Sequence, residues 1–312
     1  YCNTDGDMTT FVDDSTSYYG HKDPQVVKEV TQRNYTATEE YMNCNKLKIN
    51  GDKSHLLVLT KGDSVAGGAA AAQRRETVTI EAGGKTIRGS DSERLLGGIM
   101  HQSGNWRMMI RDGKGSISKQ LATRIGALKI ISKNADQKTR LMVAGGLVQA
   151  KLSYLLSLFG AALGYLIDIL QVQQLAAARV VLGYRCFRWS TEKMLNAVGW
   201  LSVRQLHQYS VIILTHRVIM TGRPRGLHSM LVSAFPHNTR RVEVRQEGMQ
   251  NTPRKLRYGE QFGHVSSSSL VGRSFRHQAL VYNTVPAHLR SLKIDSLKPK
   301  LKKWIKSNVP VR

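Results

Sequence analysis

The first twenty residues alternate between strand-forming and turn-forming side chains. Threonine, valine and aromatic residues, which favour strands, are frequent in residues 8–12 and 15–19. Asp13 and Asp14 stand between these two stretches and favour a turn. The pattern predicts a β-hairpin over residues 6–20, with both aspartates at its tip.

A helix and then a buried strand are predicted after the hairpin. Asp23 suits the N-cap position of a helix, and Pro24 suits its first turn. One apolar face follows at helical spacing, formed by Val26, Val30, Ala37 and Tyr41. Residues 54–59 (SHLLVL) are typical of a buried strand. We expect this strand to share a sheet with the hairpin, with the helix packed across one face.

The next stretch contains a loose connection and a second hairpin. Residues 62–73 are small and of low complexity, which is typical of a connecting segment. Residues 77–80 and 85–88 are predicted to form a hairpin, joined through a glycine pair at 83–84.

From about residue 117 the apolar residues recur at helical intervals. Helices are predicted at residues 117–128, 138–159, 167–182, 191–198, 202–220 and 297–305. Residues 223–270 are instead polar, contain three prolines and are predicted to be irregular. The pattern as a whole predicts an α+β fold, with short antiparallel strands first and a mainly α-helical region after them.

The net charge of +24 is concentrated outside the N-terminal part of the chain. Residues 1–64 carry seven Lys or Arg and ten Asp or Glu, a net charge of −3, so residues 65–312 carry +27. A basic body of this size repels itself unless a polyanion is near, and nucleic acid is the usual polyanion. A merely soluble basic surface is the alternative that charge alone leaves open.

Cysteine usage and hydropathy bear on the compartment. The three cysteines show no CxxC and no zinc-ligand spacing, which favours a reducing, intracellular compartment such as the nucleus or cytoplasm. The most apolar window, residues 152–167, is shorter than the roughly 18–20 residues that a membrane span needs. We therefore interpret it as a buried helix and expect no membrane partner.

The sharpest chemical feature is the pair Asp13-Asp14 within the tetrapeptide Phe11-Val12-Asp13-Asp14. Two adjacent carboxylates repel each other unless a cation neutralises them. Mg²⁺ prefers carboxylate and phosphate oxygens, and two such ions serve phosphoryl transfer by activating a hydroxyl and stabilising the leaving group. A solvated turn is the competing interpretation of this tetrapeptide taken alone.

Several motifs, in order, resemble those of reverse transcriptases of the non-LTR (LINE-type) retrotransposon family. That family carries an aromatic-x-Asp-Asp hairpin, a helix, a Leu-x-x-Asn-x-x-Lys-[Thr/Ser] segment and a Leu-Gly turn that grips the primer. The matching segments here are residues 11–14, the helix from Pro24, residues 47–54 (LKINGDKS) and residues 95–97 (LLG). The resemblance continues through residues 170–179, 195–201, 282–290 and 296–298, and so covers nearly the whole chain.

The resemblance implies a fold and an activity. Residues 1–112 would form the C-terminal part of an antiparallel palm, residues 113–165 a thumb-like helical region, and residues 166–312 a basic helical C-terminal region that includes the irregular segment 223–270. The implied activity is RNA-directed DNA synthesis with dNTP on an RNA template and DNA primer. The implied cofactor is Mg²⁺ or Mn²⁺.

The resemblance also implies catalytic roles for three residues. Asp13 would be the principal metal ligand and Asp14 its partner. Lys53 would act as general acid toward pyrophosphate, which requires that it come within hydrogen-bond reach of the proton acceptor. A surface lysine is the alternative for Lys53.

Contacts to nucleic acid are implied for two further groups. Leu96, Gly97 and Gly98 would form the primer grip, for which a simple β-turn is the alternative. Template or phosphate contacts are implied for Arg179, Lys298, Lys300, Lys302, Lys303 and Lys306. A solvated helix face is the alternative for the run of C-terminal lysines.

The chain departs from the family pattern in several places. Val12 stands where the family usually has Ala, and Leu95 stands where a Phe or Tyr usually precedes the Leu-Gly turn. The fingers and the third catalytic Asp have no counterpart in the sequence, whose first residue is Tyr1. We therefore expect a fragment that begins inside the palm. A non-catalytic, basic nucleic-acid-binding remnant of a retroelement is the alternative function.

Overall fold

The computed structural model shows a mixed α+β protein, as the residue pattern predicts. The structure describes residues 6–11, 13–59, 73, 76–82, 84–183, 188–234 and 279–311. The chain divides into two compact units, residues 1–109 and residues 110–312. The loose connection predicted at 62–73 lies almost entirely outside the described residues, as does the part of the predicted irregular segment from 235 onward.

Six short strands form three separate two-stranded antiparallel sheets in the described part of the first unit. The strands are β1 (Asp7–Phe11), β2 (Asp14–Tyr18), β3 (Thr79–Ala82), β4 (Lys85–Arg88), β5 (Ser92–Leu95) and β6 (Gly98–His101). Phe11 of β1 pairs with Asp14 of β2, so the predicted hairpin over residues 6–20 is confirmed. The second predicted hairpin is confirmed as β3–β4, with Gly84 in its turn at a φ of 78°, which glycine adopts without strain.

The helix predicted after the first hairpin is α1 (Pro24–Cys44), and it begins as expected. The Asp23 carboxylate accepts a hydrogen bond from the backbone N–H of Gln25 at 2.9 Å, which satisfies one of the free donors of the first turn. Pro24 has no N–H and so leaves no donor unpaired at the first helical position.

Only part of the predicted apolar face of α1 is buried. Val30 is buried, whereas Tyr41 is 44% exposed. The helix packs against β3, where the Gln32 side chain donates to the carbonyl oxygen of Glu81 and accepts from its backbone N–H. The side-chain amide of Gln32 thus completes the backbone pairing of a strand edge that would otherwise face water.

The strand predicted at residues 54–59 is not formed. Leu56 makes an isolated parallel bridge to Gly89, and its carbonyl oxygen accepts from the backbone N–H of Ser90 at 2.9 Å. The prediction that this segment shares a sheet with the first hairpin is therefore wrong. A run of apolar side chains signals burial, but a strand also needs a neighbour along its whole length to pair its backbone groups.

The described part of the second unit is helical. Its helices are α2 (Ile117–Ile131), α3 (Gln137–Ala144), α4 (Ala150–Ser153), α5 (Leu156–Phe159), α6 (Gly164–Leu182), α7 (Thr191–Ala197), α8 (Val203–Thr221), α9 (Arg225–Ala234), α10 (Ala287–Arg290) and α11 (Ile294–Asn308). The predictions for α2, α6, α7, α8 and α11 are confirmed to within a few residues at each end. This unit includes residues 113–165, for which we expect a thumb-like role, and residues 166–312.

The single helix predicted over residues 138–159 is interrupted. A π-helical turn at Gly145–Gln149 separates α3 from α4, and Leu155 has a φ of 58°, which ends the helical path before α5. Apolar side chains before and after Leu155 are nevertheless fully buried: Leu152 before it, and Leu156 and Phe159 after it. The apolar spacing therefore predicted correctly that these side chains are buried. The prediction of one continuous helix was wrong.

Hydropathy does single out one long helix. In the part of the chain that the structure describes, α6 alone has the length and apolar composition of a membrane-crossing helix, and 44% of its apolar stretch is buried within the protein. The window at residues 152–167, which we interpreted as one buried helix, is divided among α4, α5 and the start of α6.

Residues 225–234 form α9, although we predicted an irregular structure there. The prediction was based on the polar composition of residues 223–270 as a whole. Leu227 and Leu231 are nevertheless four residues apart, and they pack with Val218 of α8 in a small cluster. Local apolar spacing thus outweighs the polar surroundings in this part of the segment.

The C-terminal elements pack on α8. Its N-terminus carries a reciprocal capping box, in which Ser202 accepts from the backbone of Gln205 and Gln205 accepts from the backbone of Ser202. The largest cluster there combines residues of α8, of a 3₁₀ helix at Ala279–Thr284, and of α10 and α11. The buried face of α11 consists of Leu297, Leu301 and Ile305.

Candidate functional site

The two predicted catalytic aspartates lie at the tip of the β1–β2 hairpin. Asp13 is in the turn and Asp14 is the first residue of β2, and both are exposed. Among the described residues, neither carboxylate has a hydrogen-bond or ion-pair partner for its side chain. Four carboxylate oxygens are therefore free to bind a cation at this tip.

Lys53 ends a short 3₁₀ helix at Gly51–Lys53, and its side chain is exposed. Asn50 caps this helix by accepting from the backbone N–H of Asp52 at 3.1 Å. The ion pair of this segment joins Asp52 to Lys85 of β4, which lowers the pKa of the Asp52 carboxyl through their hydrogen bond and charge attraction. In the described structure no hydrogen bond joins Lys53 to either aspartate.

The predicted primer-grip residues form the turn of the β5–β6 hairpin. Leu95 pairs with Gly98, and Leu96 and Gly97 between them have φ values of 47° and 79°. Two positive φ values are typical of a tight hairpin turn of the I′ type. Leu96 is 44% exposed at this tip, and a bulky residue is uncommon in a left-handed conformation. The geometry is that of a tight β-turn, which is compatible with both interpretations of these residues.

The predicted template-binding residues lie on two helices of the second unit. Arg179 is exposed in the last turn of α6. The five lysines of α11 all lie outside its buried face: Lys298, Lys300, Lys302, Lys303 and Lys306. This helix therefore presents an apolar side to α8 and a cationic side to solvent.

Sequence reasoning missed two residues of α7, one of which contacts the cationic side of α11. The Nζ of Lys306 donates to Oδ1 of Asn196 on α7 at 3.2 Å. Lys193, one turn earlier on α7, has its Nζ 4.6 Å from the centre of the Trp189 ring, within the range of a cation–π contact. A lysine four residues after a tryptophan can be seen in the sequence, whereas the contact of Asn196 with α11 depends on the fold.

One segment of the resemblance, residues 170–179, carries two glutamines that are engaged in packing contacts. Gln174 of α6 has no solvent exposure and donates to the carbonyl oxygen of Leu201 at 2.9 Å. Gln171 accepts from the backbone N–H of Val203 at 2.8 Å. These two glutamines join α6 to the start of α8, so their place in the molecule is structural rather than at a ligand site.

The described residues contain no group of three or more His, Cys, Asp or Glu side chains placed to hold a metal ion. A shallow groove between α1 and β3 is lined by Lys28, Glu29, Gln32, Arg33, Thr79 and Glu81, of which four carry charges of both signs.

Comparison with known protein families, with curated proteins and with solved structures gives no match to this chain. Function must therefore be argued from the residues and their geometry.

Proposed function

We propose that this chain is part of an RNA-directed DNA polymerase of the non-LTR retrotransposon type, and that the β1–β2 hairpin carries part of its active site. The observation that supports this most is the register of the hairpin. Because Phe11 pairs with Asp14, Asp13 lies in the turn and both carboxylates are exposed at the tip of the hairpin. That arrangement suits a cation that must also reach the phosphates of a nucleotide.

Asp13 and Asp14 fit the ligand preferences of Mg²⁺. They offer hard carboxylate oxygens that no described side chain occupies, and protein sites commonly hold Mg²⁺ by one or two carboxylates together with substrate phosphates. When bound, the ion would supply Lewis-acid activation and charge neutralisation at the transferred phosphoryl group. The task of the two aspartates is to fix that positive charge at the hairpin tip.

The remaining residues would handle the proton and the nucleic acid. We propose that Lys53 donates a proton to the departing pyrophosphate, which requires an approach within hydrogen-bond reach when the substrate is bound. The turn at Leu96 and Gly97 would contact the primer, and the exposed Arg179 and lysines of α11 would contact phosphates. These contacts would align the primer terminus, and alignment contributes much of the acceleration in phosphoryl transfer.

The experiment uses a joined protein, in which the fingers and N-terminal palm of a non-LTR reverse transcriptase are fused to the N-terminus of this chain. Primer extension on an RNA template is measured. We expect extension by the joined protein and loss of several orders of magnitude in rate on Asp13→Asn, because the amide removes the anionic ligand. The residue-matched control is Asp91→Asn, in which the amide oxygen can still accept the hydrogen bond of Gln102 and extension should be unchanged.

We expect residues 1–312 alone not to extend primers, because the resemblance implies a third aspartate that this sequence does not contain and the described residues bring no third carboxylate to the pair. Robust extension by the chain alone would contradict the proposed active site. Extension by the Asp13→Asn joined protein at the rate of the Asp91→Asn control would contradict it as well.

A basic nucleic-acid-binding protein without catalysis is the second candidate, and the cationic side of α11 favours it. This candidate predicts a joined protein that binds template and primer but does not extend them. It also predicts that Asp13→Asn and Asp91→Asn change binding equally little.

A further inference from the structure

Three of the five lysines of α11 follow one edge of the helix. Lys298, Lys302 and Lys306 are each four residues apart, so their side chains stand one above another. Lys300 and Lys303 are exposed and lie at other positions around the helix. The helix thus carries a row of three lysines along the border of its buried face and two further lysines on its more exposed side.

The row continues onto a second helix. Lys306 donates to Asn196 of α7 at 3.2 Å, and Asn196 and Lys193 are three residues apart, on one face of α7. The Trp189 ring, which packs against the core cluster around Leu175, holds the Lys193 ammonium 4.6 Å from its centre. Lys193 therefore lies on the face of α7 that contacts Lys306, and we term these four lysines the lysine row: Lys298, Lys302, Lys306 and Lys193.

The positive charge of the lysine row is only partly compensated. Lys298 pairs with Asp295 at 3.0 Å, and among the described residues no carboxylate pairs with the other three lysines. Partial burial and the neighbouring charge of Lys302 lower the pKa of Lys306. Neighbouring like charges favour a bound polyanion, because the lysines would replace the cations condensed on the phosphates of the free nucleic acid.

We propose that the lysine row binds the phosphate backbone of a single-stranded nucleic acid. This inference rests on the proposed function and deepens it, because it assigns a path for one strand and adds Lys193 to the interface. The row is one lysine wide. It therefore offers one line of cations to the single line of phosphates of one strand.

The test compares two double variants of the full chain that remove equal charge from helices of the second unit. Lys302→Gln/Lys306→Gln interrupts the lysine row, and Lys129→Gln/Lys138→Gln, at exposed positions of α2 and α3, is the matched control. Glutamine is about as good a helix former as lysine, so both variants should keep the fold, which circular dichroism checks. The probe is a labelled single-stranded oligouridylate, titrated by fluorescence anisotropy over a series of salt concentrations.

We expect the row variant to weaken binding about tenfold at physiological salt and to reduce the slope of log affinity against log salt by about 1.4, since each lost phosphate contact on a single strand is worth about 0.7. The control should keep the wild-type slope. Lys193→Gln, on the other helix, should reduce the slope by about 0.7.

The outcomes separate the two levels of the proposal. No binding of the probe by the wild-type chain would overturn the proposed function and the lysine row together. Wild-type binding with equal slopes for both double variants would overturn the lysine row alone. A duplex of the same length that binds as tightly as the single strand, with the same loss in the row variant, would overturn the assignment to a single strand.

Discussion

His216 on α8 shows how burial and hydrogen bonding fix the state of one side chain. It has no solvent exposure, its Nδ1 lies 2.9 Å from the Tyr282 hydroxyl, and its Nε2 lies 3.0 Å from the carbonyl oxygen of Leu292. Because a carbonyl oxygen only accepts, Nε2 carries the proton and Nδ1 accepts from the tyrosine. Burial lowers the pKa of His216 and raises the pKa of Tyr282 to about 12.

The lowered pKa of His216 predicts that acid destabilises the second unit. The unfolded chain takes up this proton near its ordinary pKa of about 6.5, whereas the folded chain takes it up only at lower pH. The stabilisation is therefore complete above about pH 6.5 and is lost progressively as the pH falls from there toward the lowered folded pKa. Urea unfolding of the full chain between about pH 7.5 and 5 measures the change.

His216→Gln should flatten the pH dependence over this range, and the exposed His288→Gln should keep the wild-type dependence. Glutamine does not titrate, so this residue no longer contributes to the slope of unfolding free energy against pH. A lower overall stability of the variant does not change that slope. Parallel pH profiles for His216→Gln and the wild-type protein would show that His216 does not carry this dependence.

At the scale of elements, the approach of α8 to the end of α5 depends on a glycine. A Cβ at Gly160 would lie 2.2 Å from Cδ2 of the His207 ring and 2.6 Å from the carbonyl oxygen of Leu156. Both distances are far below ordinary contact, so the backbone or the ring would have to shift. The sequence shows a glycine after an apolar run, and only the packed structure shows what it makes room for.

We expect Gly160→Ala to destabilise the second unit by about 1–3 kcal/mol, the usual cost of overpacking. Gly126→Ala is the matched control, because Gly126 lies within α2 and a Cβ there would meet no atom within 4 Å. Alanine should stabilise that helix by about 1 kcal/mol. Thermal unfolding of both variants measures the difference. Equal melting temperatures for the two variants would show that the space at Gly160 is not limiting.

At the scale of the whole molecule, the uneven charge is the dominant property. Residues 65–312 carry +27, and the described lysines of α11 lie on its exposed side. Phosphate contacts dominate binding by such a surface and carry little sequence information.

We therefore expect the full chain to bind RNA and single-stranded DNA of unrelated sequence with similar affinity and a steep loss with salt. Six phosphate contacts on a single strand would cost about 300-fold in affinity between roughly 50 and 200 mM salt. Filter binding with several unrelated oligonucleotides measures both properties. Affinity that barely changes over this range would contradict an interface built on phosphates.

The sequence by itself determined the features that depend on neighbours along the chain. The first hairpin turns at Asp13 because aspartate favours turns and the flanking residues favour strands. The helix α8 begins after Ser202 because this residue and Gln205, three residues later, cap each other's backbone. The buried residues of α2 were also readable, since helical spacing places them on one face. These outcomes follow from backbone preference and side-chain period, which act over a few residues.

The tertiary structure decided what depends on distant partners. The segment 54–59 is not a strand, because pairing requires a neighbouring backbone that no local pattern supplies. The contact of Lys306 with Asn196 arises only once α7 and α11 come together in the fold. His216 likewise gains its partners from Tyr282 and Leu292, more than sixty residues away, and its chemistry follows from that packing.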